Sequence, residues 1–524
     1  MADNMISYNT VDTAESRYDK LQETREHYLN RGRQCSELTI PTLIPENSHT
    51  PSQDFYSPFQ SVGSRGVNNL ASKLLLLLLP PNQPFFRLAI EGKAKQQVDE
   101  QPQVKTAIEK SLAKIEREVM SKIEALAIRV PIFEALKQLI VGGNVLCHIP
   151  KKGTVRVFPL NQFVCQRDGE GNVIEIVVKE SISVLSLDDD VRELVIERMS
   201  KEEVQSETMC DLYTHIYKLN DKKFYVCQEV HGVKIPKSIG EHNADALPWL
   251  PLRMVRIDGE SYGRSYCEEY IGDLKSLEGL SQAMVESSAA SAKMVFMVKP
   301  NSTTKKRDIA VSRNGDIITG NKDDVSVLQA EKFYDLQTVD KSIGRIEERL
   351  QYAFLLNTAI QRQAERVTAQ EIRYMANELE TAMGGIYSLL SQELQLPLVQ
   401  LLMDRMGSKN EIPKLPKGSV RPTIITGVEA LGRGNDLQKL SEFVGQVAQL
   451  AQIYPQAAQL LNVGDLVERL ATGHGIDTEG LIKSPEQLQQ EQMAQQQQQM
   501  QQQMMDTAQD VAPKVADNAT KPQG

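Results

Sequence analysis

The sharpest cluster of ionisable side chains in the sequence is Lys305, Lys306 and Arg307, three consecutive cations in a polar, turn-rich stretch. Such a cluster can dock an acidic protein face or touch nucleic-acid phosphates, and it can equally be a solvated loop. A second polar segment, NTAIQRQAERV at 357–367, groups Gln361, Arg362 and Gln363 with Arg366. The patterns that do covalent or metal chemistry are missing. There is no G-x-x-x-x-G-K-[ST] phosphate cradle, and Gly169-Glu170-Gly171 and Gly473-His474-Gly475 are lone G-x-G fragments of the kind found in turns. No H-E-x-x-H, zinc-spaced His/Cys set or G-x-S-x-G elbow occurs. The seven histidines stand apart, and carboxylate pairs such as Asp188/Asp190 and Glu347/Glu348 fall on helix faces, where they are ordinarily solvated. The expectation is no catalytic residue, no metal ligand, no cofactor and no enzyme.

The elements that must position these clusters are α+β and mostly helical. The chain has 524 residues, 41% of them hydrophobic and 5% aromatic, enough for more than one sizeable core built from aliphatic side chains. Its net charge of −10 suits a conduit for a polyanion better than a clamp, because tight phosphate binding relies on a basic surface. Six scattered cysteines without a C-x-x-C pair read as buried, reduced thiols. The polar N-terminus has no signal-peptide pattern, and the apolar run 74–79 is stopped by Pro80 and Pro81. A span needs roughly 20 apolar residues, so that run reads as a buried helix end in a soluble protein made in a cytoplasm.

Up to residue 264 the pattern is mixed. Helical periodicity covers 18–30, 67–79, 104–128 and 133–140, the last closed by Gly142-Gly143-Asn144. Strands are predicted at 154–160, 173–180, 211–219, 223–230 and 250–257, with a hairpin turn at 168–172 and an acidic surface helix over 188–207. From Ser265 an apolar stripe (Tyr266, Tyr270, Leu274, Leu277, Met284) is flanked by Glu268, Glu269, Asp273, Glu278 and Glu286 and followed by small residues at 287–292. Short strands are predicted at 315–320 and 325–329. Then Leu336, Val339, Ile343, Ile346, Leu350 and Ala353 form a heptad-like seam. Two amphipathic helices thus bracket a small polar lobe, a hairpin with a decorated tip. A capping box at Thr368–Glu371 opens another helix, with Gly384-Gly385 inside it and a bend expected near Pro397. Further helix is expected over 437–461 and 466–471, and order fades into the glutamine-rich tract after Ser484.

Six blocks of this sequence resemble the portal (head-to-tail connector) proteins of short-tailed, podovirus-type bacteriophages. They are SPFQSVGSRGVNNLASKL (57–74), FEALKQLIVGGNVL (133–146), LRMVRIDGESYGRSYCEEYIGDLKSLE (252–278), ERVTAQEIRYMANELE (365–380), GGIYSLLSQELQLPLV (384–399) and GVEALGRGNDLQKL (427–440). The resemblance implies a portal fold assembled as a hollow ring of twelve subunits. On that plan 1–264 is the wing, 265–299 and 333–356 are the paired stem helices, and 300–332 is the clip. The remaining pieces are a channel loop (357–367), a long kinked helix (368–410), a crown (411–483) and a partly disordered tail (484–524).

The implied function is structural: the ring at one capsid vertex of the virion, between head and tail, through which double-stranded DNA is packaged and later ejected. The implied partners are other copies of itself, the terminase motor, tail adaptor and tail tube proteins, capsid and scaffolding proteins, and internal core proteins, with assembly in the host cytoplasm and no direct membrane insertion. Gln361, Arg362, Gln363 and Arg366 then line the DNA channel at a constriction, and Lys305, Lys306 and Arg307 lie on the clip where a motor or tail protein docks. The competing readings are another virion component such as a tail adaptor, and a soluble nucleic-acid enzyme, which should show phosphate-cradle or metal spacing.

Overall fold

The computed structural model describes residues 13–46, 49–50, 52–81, 85–90, 102–198, 209–291, 295–328, 333–356, 383, 385–412, 420–424, 432–454, 463–464 and 466–467. The chain forms two compact units, Met1–Ala430 and Leu431–Gly524.

The first unit opens with helix α1 (Ala14–Glu37), started by the Thr13 hydroxyl, which accepts the Ser16 N–H at 3.2 Å. Helix α2 (Val62–Leu78) contains the leucine run, and Leu74, Leu78 and Leu79 are buried at its end, as the run and its prolines predict. No described helix is long and apolar enough to cross a membrane. Strand β1 (Phe86–Ile90) pairs antiparallel with Val420–Ile424. Helices α3 (Pro102–Ala125) and α4 (Arg129–Gly142) follow. The predicted glycine stop of α4 is Gly143, left-handed at φ 74°, where a Cβ would lie 2.7 Å from the Arg264 carbonyl carbon.

Strands β2 (Asn144–His148), β3 (Arg156–Pro159), β4 (Phe163–Arg167) and β5 (Val173–Ser183) lead to a shortened acidic helix, α5 (Asp189–Arg198). Residues 199–208 of the predicted acidic helix lie outside the described residues. Next come β6 (Met209–Asn220), β7 (Lys223–Val230), β8 (Val233–Lys234), β9 (Gly240–Asn243) and β10 (Trp249–Arg253). They build two antiparallel sheets, one ordered β10-β2-β3, the other β4-β5-β6-β7 with β8 and β9 both on β7. The β4–β5 turn is the predicted hairpin: the Asp168 carboxylate accepts the N–H groups of Glu170 (3.0 Å) and Asn172 (2.7 Å). Each of the five predicted strands is present, whereas β1, β2, β4, β8 and β9 go unpredicted. β2 is a short buried apolar run directly after a helix, and periodicity alone does not separate such a run from a helix end.

The predicted helix 265–299 is three pieces: α6 (Tyr266–Glu269), α7 (Ile271–Ser291) and strand β11 (Val295–Val298). Helix α8 (Lys306–Val311), strand β12 (Val325–Leu328) and helix α9 (Phe333–Ala353) follow. β12 matches its prediction, but its partner is β11, with Val295 opposite Leu328. Residues 315–320 form no strand. Ile317 is fully exposed there, so the segment has the composition of a strand without a neighbour to complete its ladder.

A helical stretch over 385–390 passes through a π-turn at Ser391–Gln395, next to the predicted bend site, into α10 (Leu396–Ser408). Pro397 has no N–H to donate, and the widened turn just before it absorbs the missing bond. The described part of the second unit is chiefly helix α11 (Gly432–Ile453), on which Phe443 and Leu450 are exposed. The glutamine-rich tail lies outside the described residues. All six cysteines are free and buried, as predicted.

One carboxylate in the larger sheet is fully buried. Glu175 of β5 sits beside His215 of β6, whose Nε2 is 2.7 Å from Oε1, and it accepts the Arg17 Nε–H at 3.0 Å. Burial by itself would raise this carboxyl. The hydrogen bonds from His215 and Arg17 outweigh it and hold the group down at about 2. A carboxyl depressed in the fold stabilises it fully above its unfolded value, and that stabilisation is lost as pH falls from about 4.5 toward 2. Glu175→Gln should therefore flatten the fall in urea midpoint across this acid window. The share removed should be on the order of 3 kcal/mol. An unchanged acid limb would show that the carboxylate is not the group responsible.

Candidate functional site

Helices α7 and α9 pack against each other as an antiparallel pair, and the lobe β11–α8–β12 caps the far end. Burial along the pair is graded. Leu274 and Leu277 on α7 and Ile346, Leu350 and Ala353 on α9 are buried, while Leu336, Val339 and Ile343 are half-buried and Val285 is 52% exposed. The seam predicted from heptad spacing is the face that α9 turns inward. The root is therefore a core element of the body, and the far half stands clear of it.

The root is fixed by residues from three of the sequence blocks. Helix α9 ends in a paired cap: Leu356 N–H donates to Gln351 O at 2.7 Å and Leu355 N–H to Tyr352 O at 3.1 Å. Leu355 takes the left-handed position at φ 54° that glycine usually fills. Asn69 of α2 donates to the carbonyls of Phe354 and Leu355, both at 3.0 Å, and the buried Lys73 ammonium donates to Leu355 O at 2.7 Å. The Tyr266 hydroxyl donates to Ala353 O at 2.9 Å. Gly66 leaves the space for Phe354, since a Cβ there would lie 2.6 Å from the ring. Glycine, asparagine and lysine at 66, 69 and 73 fall on successive turns of α2, which is why one helix face can hold the whole helix end.

At the start of α6 the Ser265 hydroxyl accepts the Glu268 N–H at 3.2 Å and donates to Ile140 O at 3.1 Å. Asn144 is bonded both ways to Gly263, accepting its N–H at 2.7 Å and donating to its carbonyl at 2.8 Å. The carboxylates predicted to flank the stripe are largely engaged. Glu278 is buried and accepts from Tyr56 Oη (2.6 Å) and Phe59 N (2.8 Å). Glu268 meets Arg31 at 3.1 Å, and Asp273 meets Arg349 across the helix pair at 2.6 Å. The Glu260 carboxylate takes Arg264 and the Tyr28 hydroxyl, and burial with that hydrogen bond pushes Tyr28 up to about 12.

Lys305, Lys306 and Arg307 stand exposed at the start of α8 and make no ion pair among the described residues. Cations at a helix N-terminus oppose its dipole, so local helix stability does not explain them. Thr304 is buried beside them, and its Oγ1 accepts the Asn321 N–H at 3.0 Å. Gln361, Arg362, Gln363 and Arg366 lie outside the described residues, and only the α9 cap that launches their segment is in view. No His/Cys/Asp/Glu group among the described residues has the arrangement to hold a metal. Sequence reasoning missed the clamp of Arg253 on Glu393, with Nε–Oε1 at 2.9 Å and the Arg253 N–H on Oε2 at 2.9 Å, which ties β10 to the π-turn. No spacing pattern could have found a pair so far apart in the chain.

Gly66→Ala should destabilise the fold by about 1–3 kcal/mol, because the Phe354 ring has nowhere to move. Phe354→Leu in the same chain should recover part of the loss, which a urea denaturation cycle would read as a coupling between the two positions. Additive losses would mean that the two side chains do not compete for this space.

A family model described as bacteriophage head to tail connecting protein matches residues 11–482. The portal protein of Enterobacteria phage T3 is 45% identical over 496 residues, covering 93% of this chain and 91% of that protein. The portal protein of Escherichia phage T7 is 44% identical over 491 residues, covering 92% and 90%. A chain in the solved virion of a native gene transfer agent particle is similar at a TM-score of 0.35 and 10% identity, covering 79% of this chain and 90% of that one. The matched span takes in the body, the helix pair and its root, and it makes this chain a member of the bacteriophage head to tail connecting protein family.

Proposed function

We propose that this portal protein works as one of twelve subunits in a ring whose paired helices enclose the passage for double-stranded DNA, first inward during packaging and later outward during ejection. The observation that carries this reading is the α7–α9 pair. It is rooted in a packed core, yet its far half and tip leave Val285, Phe296, Met297 and Ile318 between 42% and 56% exposed. Apolar surface clustered on a projecting element is covered most simply by the same element of the next copy. A closed ring needs two different complementary faces on every subunit, and a two-helix hairpin offers them.

On this reading 1–264 is the wing, 265–299 with 333–356 the stem, and 300–332 the clip. The channel loop is 357–367, the long helix 368–410, the crown 411–483 and the tail 484–524. Lys305, Lys306 and Arg307 meet the acidic face of the terminase motor and then of a tail adaptor or tail tube protein. Gln361, Arg362, Gln363 and Arg366 steady the DNA at the narrowest point, in a chain whose net charge of −10 otherwise keeps a polyanion moving. Capsid, scaffolding and internal core proteins contact the outer and crown surfaces, in the host cytoplasm during assembly.

Negative-stain images of the purified chain should show hollow discs with a narrow stalk, and compact monomers at high concentration would overturn the ring. Arg362→Ala with Arg366→Ala should leave rings intact and lower DNA retention in filled heads; unchanged retention would remove the constriction assignment. Reversing the charges of Lys305, Lys306 and Arg307 should block packaging without preventing ring formation, and normal packaging would show that cluster to be a solvated surface.

A further inference from the structure

Away from the helix pair, the C-terminal ends of α3 and α10 and the turn between β2 and β3 surround a cavity of about 300 Å³. Its walls carry five cations, Lys122, Lys151, Lys152, Arg405 and Lys409, against one carboxylate, Glu411. Two of the five are already engaged. Lys122 meets Glu411 at 3.2 Å, and the Arg405 guanidinium donates to the carbonyls of Ile149 (2.6 Å) and Pro150 (2.8 Å), pinning the turn that bears the next two lysines. Lys151, Lys152 and Lys409 remain exposed, with no ion pair among the described residues. The floor is apolar, formed by Ile128, Leu402 and Met406. A bare phosphate would use the rim and leave this floor empty. An apolar side chain framed by carboxylates would use both.

The same chain displays that chemistry on α5. Asp190, Glu193, Leu194 and Glu197 are exposed and recur at helical spacing, so they share one face, while Val191 and Val195 on the opposite side are buried. Leu194 is 50% exposed between the three carboxylates. None of the three makes an ion pair among the described residues, whereas Asp188 and Asp189 are held by Lys237 and Arg192. Helix α5 contributes nothing to the cavity of its own chain, so an occupant with this face comes from a second copy.

We propose that the basic cavity of one subunit receives the Asp190–Glu193–Leu194–Glu197 face of α5 from a second copy, with Leu194 on the apolar floor and the carboxylates on Lys151, Lys152 and Lys409. The contact is heterologous, as a closing ring requires, and it rests on the ring reading given above. It adds a bond between the bodies of two subunits that is independent of the helix pair.

The test uses the full-length chain in sedimentation velocity. Lys151→Glu/Lys152→Glu/Lys409→Glu gives a chain with two acidic surfaces, and Asp190→Lys/Glu193→Lys/Glu197→Lys a chain with two basic ones. Each alone should need about tenfold more protein to form rings, and an equimolar mixture should assemble near the wild-type concentration because every cavity then meets a face of opposite sign. Wild-type assembly by either variant alone, or no recovery on mixing, overturns the contact. Lys152→Cys with Glu193→Cys provides a second readout, a ladder of disulfide-linked oligomers on oxidation of preformed rings, and its absence also overturns it. Variants that assemble normally but bind duplex DNA more weakly would reassign the cavity to phosphate. Failure of the wild-type chain to form rings at all would instead sink the ring reading.

Discussion

A helix that ends inside a protein must find donors for its last carbonyl groups, and the rest of this structure is arranged around one such end. The C-terminus of α9 is buried among Tyr266, Phe354 and Leu355, out of reach of water. Two backbone bonds close the turn, and Asn69, Lys73 and Tyr266 supply side-chain donors for the carbonyls that remain. Leaving one buried carbonyl without a donor costs roughly 1–3 kcal/mol, comparable to the loss of a packed aliphatic side chain. The ammonium of Lys73 tolerates burial because it faces the negative end of the helix dipole. This one joint ties α2 to the root of the helix pair.

The same logic recurs wherever distant segments meet. Buried or half-buried carboxylates act as staples between elements far apart in sequence: Glu278 to the segment before α2, Glu393 to Arg253 at the end of β10, and Glu175 to α1 and β6. Removing one partner from a buried pair leaves an uncompensated charge, so each staple penalises any arrangement that separates its two elements. In the proposed ring, the helix pair must keep one direction relative to the body in every copy, and these staples hold it there.

The distribution of charge follows from this division of labour. Most carboxylates near the hairpin root are engaged in hydrogen bonds and ion pairs, whereas among the described residues Lys305, Lys306 and Arg307 at the tip, Asp190, Glu193 and Glu197 on α5 and Lys151, Lys152 and Lys409 at the basic cavity make no ion pair. A net charge of −10 therefore says little about any one surface.

Local chemistry was enough to find several pieces. The Gly143 stop and the Asp168–Asn172 turn depend on interactions within a few residues, and the heptad seam of α9 and the five predicted strands carry a local periodicity of apolar residues, so their patterns survive in one dimension. The family blocks were legible for the same reason, although what they do was not: Gly66, Asn69 and Lys73 become a socket only when α9 arrives from nearly three hundred residues away. Tertiary structure alone decided that 295–298 pairs with 325–328, that Glu278 is buried, and that Lys151 and Lys409 share a rim. A strand needs a partner edge, and a buried charge needs a distant counter-group. Neither requirement leaves a spacing rule in the sequence, because the groups that meet it are chosen by the packing of the whole body.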